Sequence, residues 1–321
     1  MIRSMNPTTM FRPVAMLASV LACFIASGCA NPPVSRLSPA EREEVIAIGK
    51  GIDASILAST LPDGLKSEVG AIEDIVVPSA SGSIACRIYR PSKQASLGTV
   101  VFVHGGAWVA GSVDSHDNMA RLLCSTSQAN VVSIEYSRAP DAMYPTQLDE
   151  IRSVIRWLNR EGSSAGLAAR PLAVCGDSAG GNMSAVIARE SASNSIALAV
   201  LINPVVDMTL ATIKDPEVRG FSEMMVNAYL PKDADASHPS LSPLLSAVPA
   251  NHPPTFIAIG DSDAWRAEQD LYAEKLKAAG VKLEIFRAPT GHLGPDGAAA
   301  NPNAVPTLTA AGLAIKAAFG G

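Results

Sequence analysis

Pro171-Leu172-Ala173-Val174-Cys175-Gly176-Asp177-Ser178-Ala179-Gly180-Gly181-Asn182 is the stretch on which the fold turns. Leu172 to Cys175 is a short apolar run of the kind that forms a buried strand. It breaks at Gly176, and from Ser178 a helical spacing takes over, with Met183, Val186 and Ile187 on one stripe. Gly176-Asp177-Ser178-Ala179-Gly180 thus sets a serine at the apex of a sharp strand-to-helix turn. Glycines flank it because so tight a turn leaves no room for Cβ atoms. The turn exposes the hydroxyl and aims the first N–H groups of the helix at whatever the serine attacks. Taken alone, the same residues also read as a plain glycine-rich connection.

Outward from this stretch the chain alternates strand and helix. Thr99 to Val103, Val131 to Tyr136, Leu172 to Cys175, Ile196 to Leu201, Thr255 to Ile259 and Leu283 to Phe286 are β-rich apolar runs. Helical patterns cover about 113–127, 145–160, 179–192, 266–279 and 305–318. Continuous apolar strands alternating with helices imply a mostly parallel sheet covered on both faces. Before it, Ile72 to Val77 and Ser83 to Tyr89 read as a hairpin, and residues 39–60 as a helix opened by Ser38, Pro39 and Glu41. Residues 206–253 are too long for an ordinary connection. They carry one helical piece, Phe221 to Leu230, and suit a cap over a site.

Composition bounds the rest. The 321 residues are 48% hydrophobic and 17% charged, enough for one large α/β domain with an insertion. The net charge of −5 comes without a basic run, so nucleic acid is not an expected partner. Arg3 and Arg12 precede a mostly apolar run, Val14 to Ala26, which is too short to span a bilayer and has the form of an export signal. Ala26-Ser27-Gly28-Cys29 resembles a bacterial lipoprotein cleavage box, with Cys29 as the lipidated residue. The alternative is an ordinary signal cut near Ala30. Either way the chain is expected to be exported, and the first form anchors it by lipid to the cell envelope. The expected organisation is a signal at 1–28, a tether and N-terminal cap segment at 29–70, and the main domain at 71–321. Cys86, Cys124 and Cys175 lie in apolar contexts and read as small core residues. No Cys/His cluster has zinc spacing, so no metal is expected.

The first strand of the alternation ends in His104-Gly105-Gly106-Ala107-Trp108. Adjacent glycines just past a strand let N–H groups face a developing oxyanion. Gly105, Gly106 and Ala179 are the expected donors, with His104 supporting the loop. Together, His104-Gly105-Gly106 and Gly176-Asp177-Ser178-Ala179-Gly180-Gly181-Asn182 resemble the bacterial hormone-sensitive-lipase-like esterases, an α/β-hydrolase family. Tyr136-Ser137-Arg138-Ala139-Pro140-Asp141 is similar to that family's stretch after the next strand. The resemblance runs from about residue 75 to residue 292. It implies an α/β-hydrolase fold: a mostly parallel eight-stranded sheet with helices on both faces and a small helical cap. It also implies no cofactor, a small-molecule ester as substrate, and a Ser-His-Asp triad. Sheet-edge or helix-mediated dimers occur in such folds.

A serine nucleophile needs a base, and the base an orienting carboxylate, which in this fold follow the serine in the order acid, then histidine. Of the histidines after Ser178, His238 and His252 sit in the insertion and read as surface residues. His292 follows the last strand and is the expected base. Asp261 and Asp263 both end the strand before it. The family's acid stands five residues before a glutamate, a spacing that Asp263 and Glu268 share, so the resemblance favours Asp263. Ala264, Trp265 and Ala267 depart from that pattern. Asp177 is expected to accept a loop hydrogen bond, and His116 to lie on a helix surface. Trp108, Phe221, Met224, Met225, Tyr229 and Leu230 are candidates for the substrate pocket, although such a stripe also makes an ordinary helix core. The same triad would serve an amidase, a peptidase or a sugar deacetylase, and the fold also supports non-catalytic binding.

Overall fold

The computed structural model describes residues 33–58, 66–80, 82–92, 96–191, 195–289, 291–292 and 304–321. The export signal and Cys29 lie outside these residues. Eight strands form one sheet: β1 (Ala71–Ser79), β2 (Gly82–Arg90), β3 (Thr99–Val103), β4 (Asn130–Glu135), β5 (Leu172–Asp177), β6 (Leu198–Ile202), β7 (Thr255–Gly260) and β8 (Leu283–Ala288). Their order across the sheet is β1-β2-β4-β3-β5-β6-β7-β8. β2 pairs antiparallel with β1 and with β4, and every pairing from β4 through β8 is parallel.

The helices are α1 (Pro39–Ala58), α2 (Asp117–Ser127), α3 (Thr146–Glu161), α4 (Ser178–Glu190), α5 (Pro216–Tyr229), α6 (Arg266–Ala278) and α7 (Ala304–Ala318). The central strands are buried almost throughout, and mostly apolar, because both their faces are covered. Val101 and Val103 of β3 and Val174 of β5 pack with Ile151, Val154, Met183 and Val186 of α3 and α4. Their neighbours Val100, Phe102, Ala173 and Cys175 point the other way, toward Leu123 of α2 and Leu308 and Ile315 of α7. This is the two-residue period of a strand written into two cores. Cys86, Cys124 and Cys175 are free and buried within these clusters. Burial pushes the thiols of Cys86 and Cys124 up to about 12.

α1 opens with a capping box. The Glu41 N–H donates to Ser38 Oγ at 3.3 Å, and the Ser38 N–H donates to Glu41 Oε2 at 2.7 Å. The segment before it is tied to the long connection between β6 and β7. Arg36 Nε donates to Pro231 O at 2.9 Å, and its guanidinium also reaches Ala234 O. That connection carries α5, whose cap Asp215 accepts the N–H groups of Glu217 and Val218 at 2.9 and 3.0 Å. α1 and the connection together cover the edge of the sheet to which β3, β5, β6, β7 and β8 bring their C-terminal ends. Ligand sites of open parallel sheets form at that edge.

Two histidines depart from expectation. His116 is fully buried, directly before α2, with its ring 5.3 Å from that of His104. His252 is half-buried, with Nδ1 3.0 Å from Pro253 O, and burial lowers its pKa. Both are placed by partners distant in sequence or by the local loop path, which hydropathy patterns do not record. His238 is exposed, as expected.

Candidate active site

Ser178 is the first residue of α4 and follows the last residue of β5 directly, in the left-handed region at φ 50°. A non-glycine residue held there is strained, and the surrounding backbone imposes it. The flanking glycines make this possible. A Cβ on Gly180 would overlap the carbonyl oxygen of Val103, and one on Gly176 would overlap the Gly180 carbonyl. The turn is thereby clamped between β3 and α4 with the serine side chain at its tip.

The loop after β8 brings His292 to that tip. Its Nε2 lies 2.8 Å from Ser178 Oγ, and its Nδ1 lies 3.0 and 3.1 Å from the two carboxylate oxygens of Asp263. Asp263 sits in the turn after β7 with its side chain fully buried. Besides His292, its carboxylate accepts the Asn203 amide at 2.7 Å, the Gln269 amide at 2.9 Å and the Trp265 backbone N–H at 3.0 Å. Burial works to raise the pKa of this acid, but His292 and these donors outweigh it and hold the carboxyl below its usual range. Asp261 does not take part. Its side chain is half-exposed and turns toward Arg266, 3.9 Å away. Asn203 and Gln269 were not singled out in the sequence. The signal for Asn203 is its place before Pro204 at the end of β6, where it adopts φ 44°.

The oxyanion loop requires a correction. The Gly105 N–H is not directed at the site: it donates to Asp177 Oδ1 at 3.0 Å. After it the chain turns sharply, with Gly106 at φ 115°, Ala107 at 52° and Trp108 at 64°. Gly106 and Ala107 line the cavity beside Ser178. Among the described residues no acceptor takes the N–H of either one. Ala179 is the second residue of α4, so its N–H has no carbonyl within the helix to bond. Asp177 accepts a loop hydrogen bond, as expected. His104 braces the loop from behind. It stacks on Tyr136 at 4.1 Å, and the Tyr136 hydroxyl donates to His104 O at 3.0 Å. Burial holds the His104 pKa well below the usual histidine value.

A cavity of about 270 Å³ opens beside Ser178 and His292. Trp108, Phe221 and Met225 line it, joined by Ile52 of α1 and by Leu210 and Trp265. Trp265 also packs against the His292 ring, with centroids 4.7 Å apart. Tyr229 does not line the cavity. It is fully buried and stacks behind Trp108, with centroids 5.0 Å apart, so it backs the wall rather than forming it. Leu230 belongs to the same buried core.

Glu268, on the first turn of α6, is fully buried. Its Oε1 accepts the N–H of Val206 at 2.7 Å, and Thr212 Oγ1 lies 3.4 Å from Oε2, so it ties α6 to the root of the β6–β7 connection. Burial pushes its carboxyl up to about 8 from 4.5, against the opposing Val206 N–H. Because the folded value lies above the unfolded one, the stability linked to this group is full below about pH 4.5 and is lost as the pH rises toward 8. Glu268→Gln keeps the acceptor and cannot ionise. Urea unfolding at pH 5 and pH 8 is expected to show the wild type losing about 3 kcal/mol more than the variant across that interval. Equal losses would mean that Glu268 is ionised in the folded protein.

A sequence profile of the α/β-hydrolase fold matches residues 100–292. The chain belongs to the α/β-hydrolase family. Among its relatives, the carboxylic ester hydrolase LipN of Mycobacterium tuberculosis is 32% identical over 231 residues, which are 67% of this chain and 61% of LipN. An ethyl acetate hydrolase of Pseudomonas putida is 31% identical over 250 residues, 72% of this chain and 78% of the relative. An esterase of Pyrobaculum calidifontis superposes with a TM-score of 0.76 at 28% identity, covering 88% of this hydrolase and 98% of that chain. These similarities place the hydrolase, as an enzyme, in the ester-cleaving, hormone-sensitive-lipase-like branch of the family.

Proposed function

We propose that this hydrolase cleaves short- to medium-chain carboxylic esters through an acyl-enzyme on Ser178. The observation that carries the proposal is the continuous chain from Ser178 Oγ through His292 to Asp263, with contacts of 2.8 and 3.0 Å. Ser178 Oγ attacks the ester carbonyl while His292 Nε2 takes its proton, and Asp263 fixes the imidazole tautomer and stabilises the imidazolium. The N–H groups of Gly106, Ala107 and Ala179 receive the oxyanion; one such donor contributes about 3 kcal/mol to transition-state binding. Collapse of the tetrahedral intermediate expels the alcohol, which takes the proton from His292. A water molecule activated by the same imidazole then attacks the acyl-serine, releases the acid and restores Ser178.

The cavity supports the substrate class. Among the described residues its lining carries no Asp, Glu, Lys or Arg, which favours uncharged acyl and alcohol groups. A volume of about 270 Å³ lies at the lower edge of what holds drug-sized ligands, which favours short chains over long fatty acyl groups. Export, and anchoring through a lipid on Cys29, belong to the same proposal. The charged, apolar and small-residue order of residues 1–30 supports them.

The test is hydrolysis of p-nitrophenyl esters from acetate to palmitate. Turnover is expected to peak between acetate and hexanoate and to fall steeply beyond octanoate. A maximum at palmitate would refute the short-chain assignment.

A further inference from the structure

Behind the loop that carries Gly106 and Ala107 lies a group of buried polar side chains that the reaction itself does not touch. Asp177 is fully shielded and accepts the Gly105 N–H on Oδ1 at 3.0 Å. A Cβ on Gly105 would overlap Oδ2, so this carboxylate is pressed against the backbone of the loop. Oδ2 faces Nε2 of His116 at 3.5 Å, an electrostatic contact between two side chains with no solvent exposure. On the other side of the ring, His116 Nδ1 lies 2.9 Å from Ser115 Oγ. The Ser115 hydroxyl is itself held, accepting the Ser112 N–H at 2.8 Å and lying 3.0 Å from Ser112 O. When the Ser115 hydroxyl hydrogen points to Nδ1, the neutral ring carries its proton on Nε2, the nitrogen that faces the Asp177 carboxylate.

A carboxylate buried this deeply is costly when one backbone N–H is its sole donor, and a second polarised N–H offsets that cost. Asp177 also directly precedes the nucleophile. Uncompensated negative charge there would oppose the oxyanion that forms beside Ser178. His116 meets both needs, and the element it steadies is the one that presents two of the oxyanion donors.

We infer that His116 is a positioning residue for ester cleavage: its Nε2–H edge fixes Asp177, which holds Gly105 and thereby aims the N–H groups of Gly106 and Ala107. The inference rests on the acyl-enzyme reading of the site. It predicts an effect on transition-state binding, where the oxyanion exists, with little effect on substrate binding.

The experiment compares wild type, His116→Leu and His116→Gln in the full-length protein, with p-nitrophenyl butyrate as probe. Leucine fills the space without a donor, whereas the glutamine amide can present an N–H toward Asp177. For His116→Leu, kcat is expected to fall at least tenfold with KM within threefold of wild type. His116→Gln should recover kcat to within threefold. Unchanged kcat in His116→Leu, a loss confined to KM, or equal losses in both variants would overturn the inference. An inactive wild type would instead count against the acyl-enzyme reading. Should the leucine variant fail to fold, the ¹⁵N shifts of the His116 ring in the wild type decide. A protonated Nε2 supports the inference, and a bare Nε2 overturns it.

Discussion

Ser178→Ala is expected to lower kcat on p-nitrophenyl butyrate by roughly 10⁴- to 10⁶-fold and to abolish labelling by a fluorophosphonate probe. The loss follows from what the serine oxygen does. It is the atom 2.8 Å from His292 Nε2, and alanine leaves nothing for that base to activate. The residual rate would come from binding and the oxyanion donors alone. Folding should survive, because alanine keeps the Cβ that already sits at φ 50°. Ser178→Gly would remove that Cβ strain and should be more stable than Ser178→Ala by about 1 kcal/mol. Chemical denaturation of the two variants beside the wild type separates chemistry from fold. An alanine variant that kept more than a tenth of the activity would place the nucleophile elsewhere.

The serine was legible because its role constrains the chain locally. A strand, two space-saving glycines and a helix must all lie within ten residues, and each leaves a compositional mark. The inner strands β3, β5, β6 and β7 were legible for a related reason: a sheet covered on both faces demands buried, mostly apolar runs, whereas β1, β2 and β8 are partly exposed and showed only as β-rich stretches. The donors of the oxyanion loop were not legible in the same way. His104-Gly105-Gly106 announces a backbone that can turn, but the N–H that faces the site depends on Asp177, 72 residues away, taking the one from Gly105. The burial of His116 has the same origin, since the side chain it faces, Asp177, lies at the end of β5, far from it in sequence. Tyr229 shares the helical stripe of Met225, and only its stacking on Trp108 separates wall from support. Local geometry was readable from local sequence. Pairings across the sheet edge were not.

The two aspartates after β7 provide the sharpest test of the triad. Asp263→Asn is expected to lower kcat by roughly 10³- to 10⁴-fold near neutral pH, and Asp261→Asn to change it by less than twofold. The carboxylate of Asp263 receives four donors: His292 Nδ1, the amides of Asn203 and Gln269, and the Trp265 N–H. An asparagine can accept only through its one oxygen. With that oxygen turned to Asn203 and Gln269, its NH₂ would face His292 and the Trp265 N–H, forcing Nδ1 to accept and moving the ring proton to Nε2. In that tautomer His292 cannot take the Ser178 proton. With the amide turned the other way, its NH₂ would meet the amides of Asn203 and Gln269 instead, leaving buried donors opposed. Either orientation costs activity, and neither depends on a change in the cavity, so KM should stay within a few fold. Asp261 has no comparable hold on the site: its side chain is half in solvent and its ionic neighbour is Arg266. The opposite outcome, with activity lost in Asp261→Asn and kept in Asp263→Asn, would mean that the loop after β7 rearranges when substrate binds and that a different carboxylate orients His292.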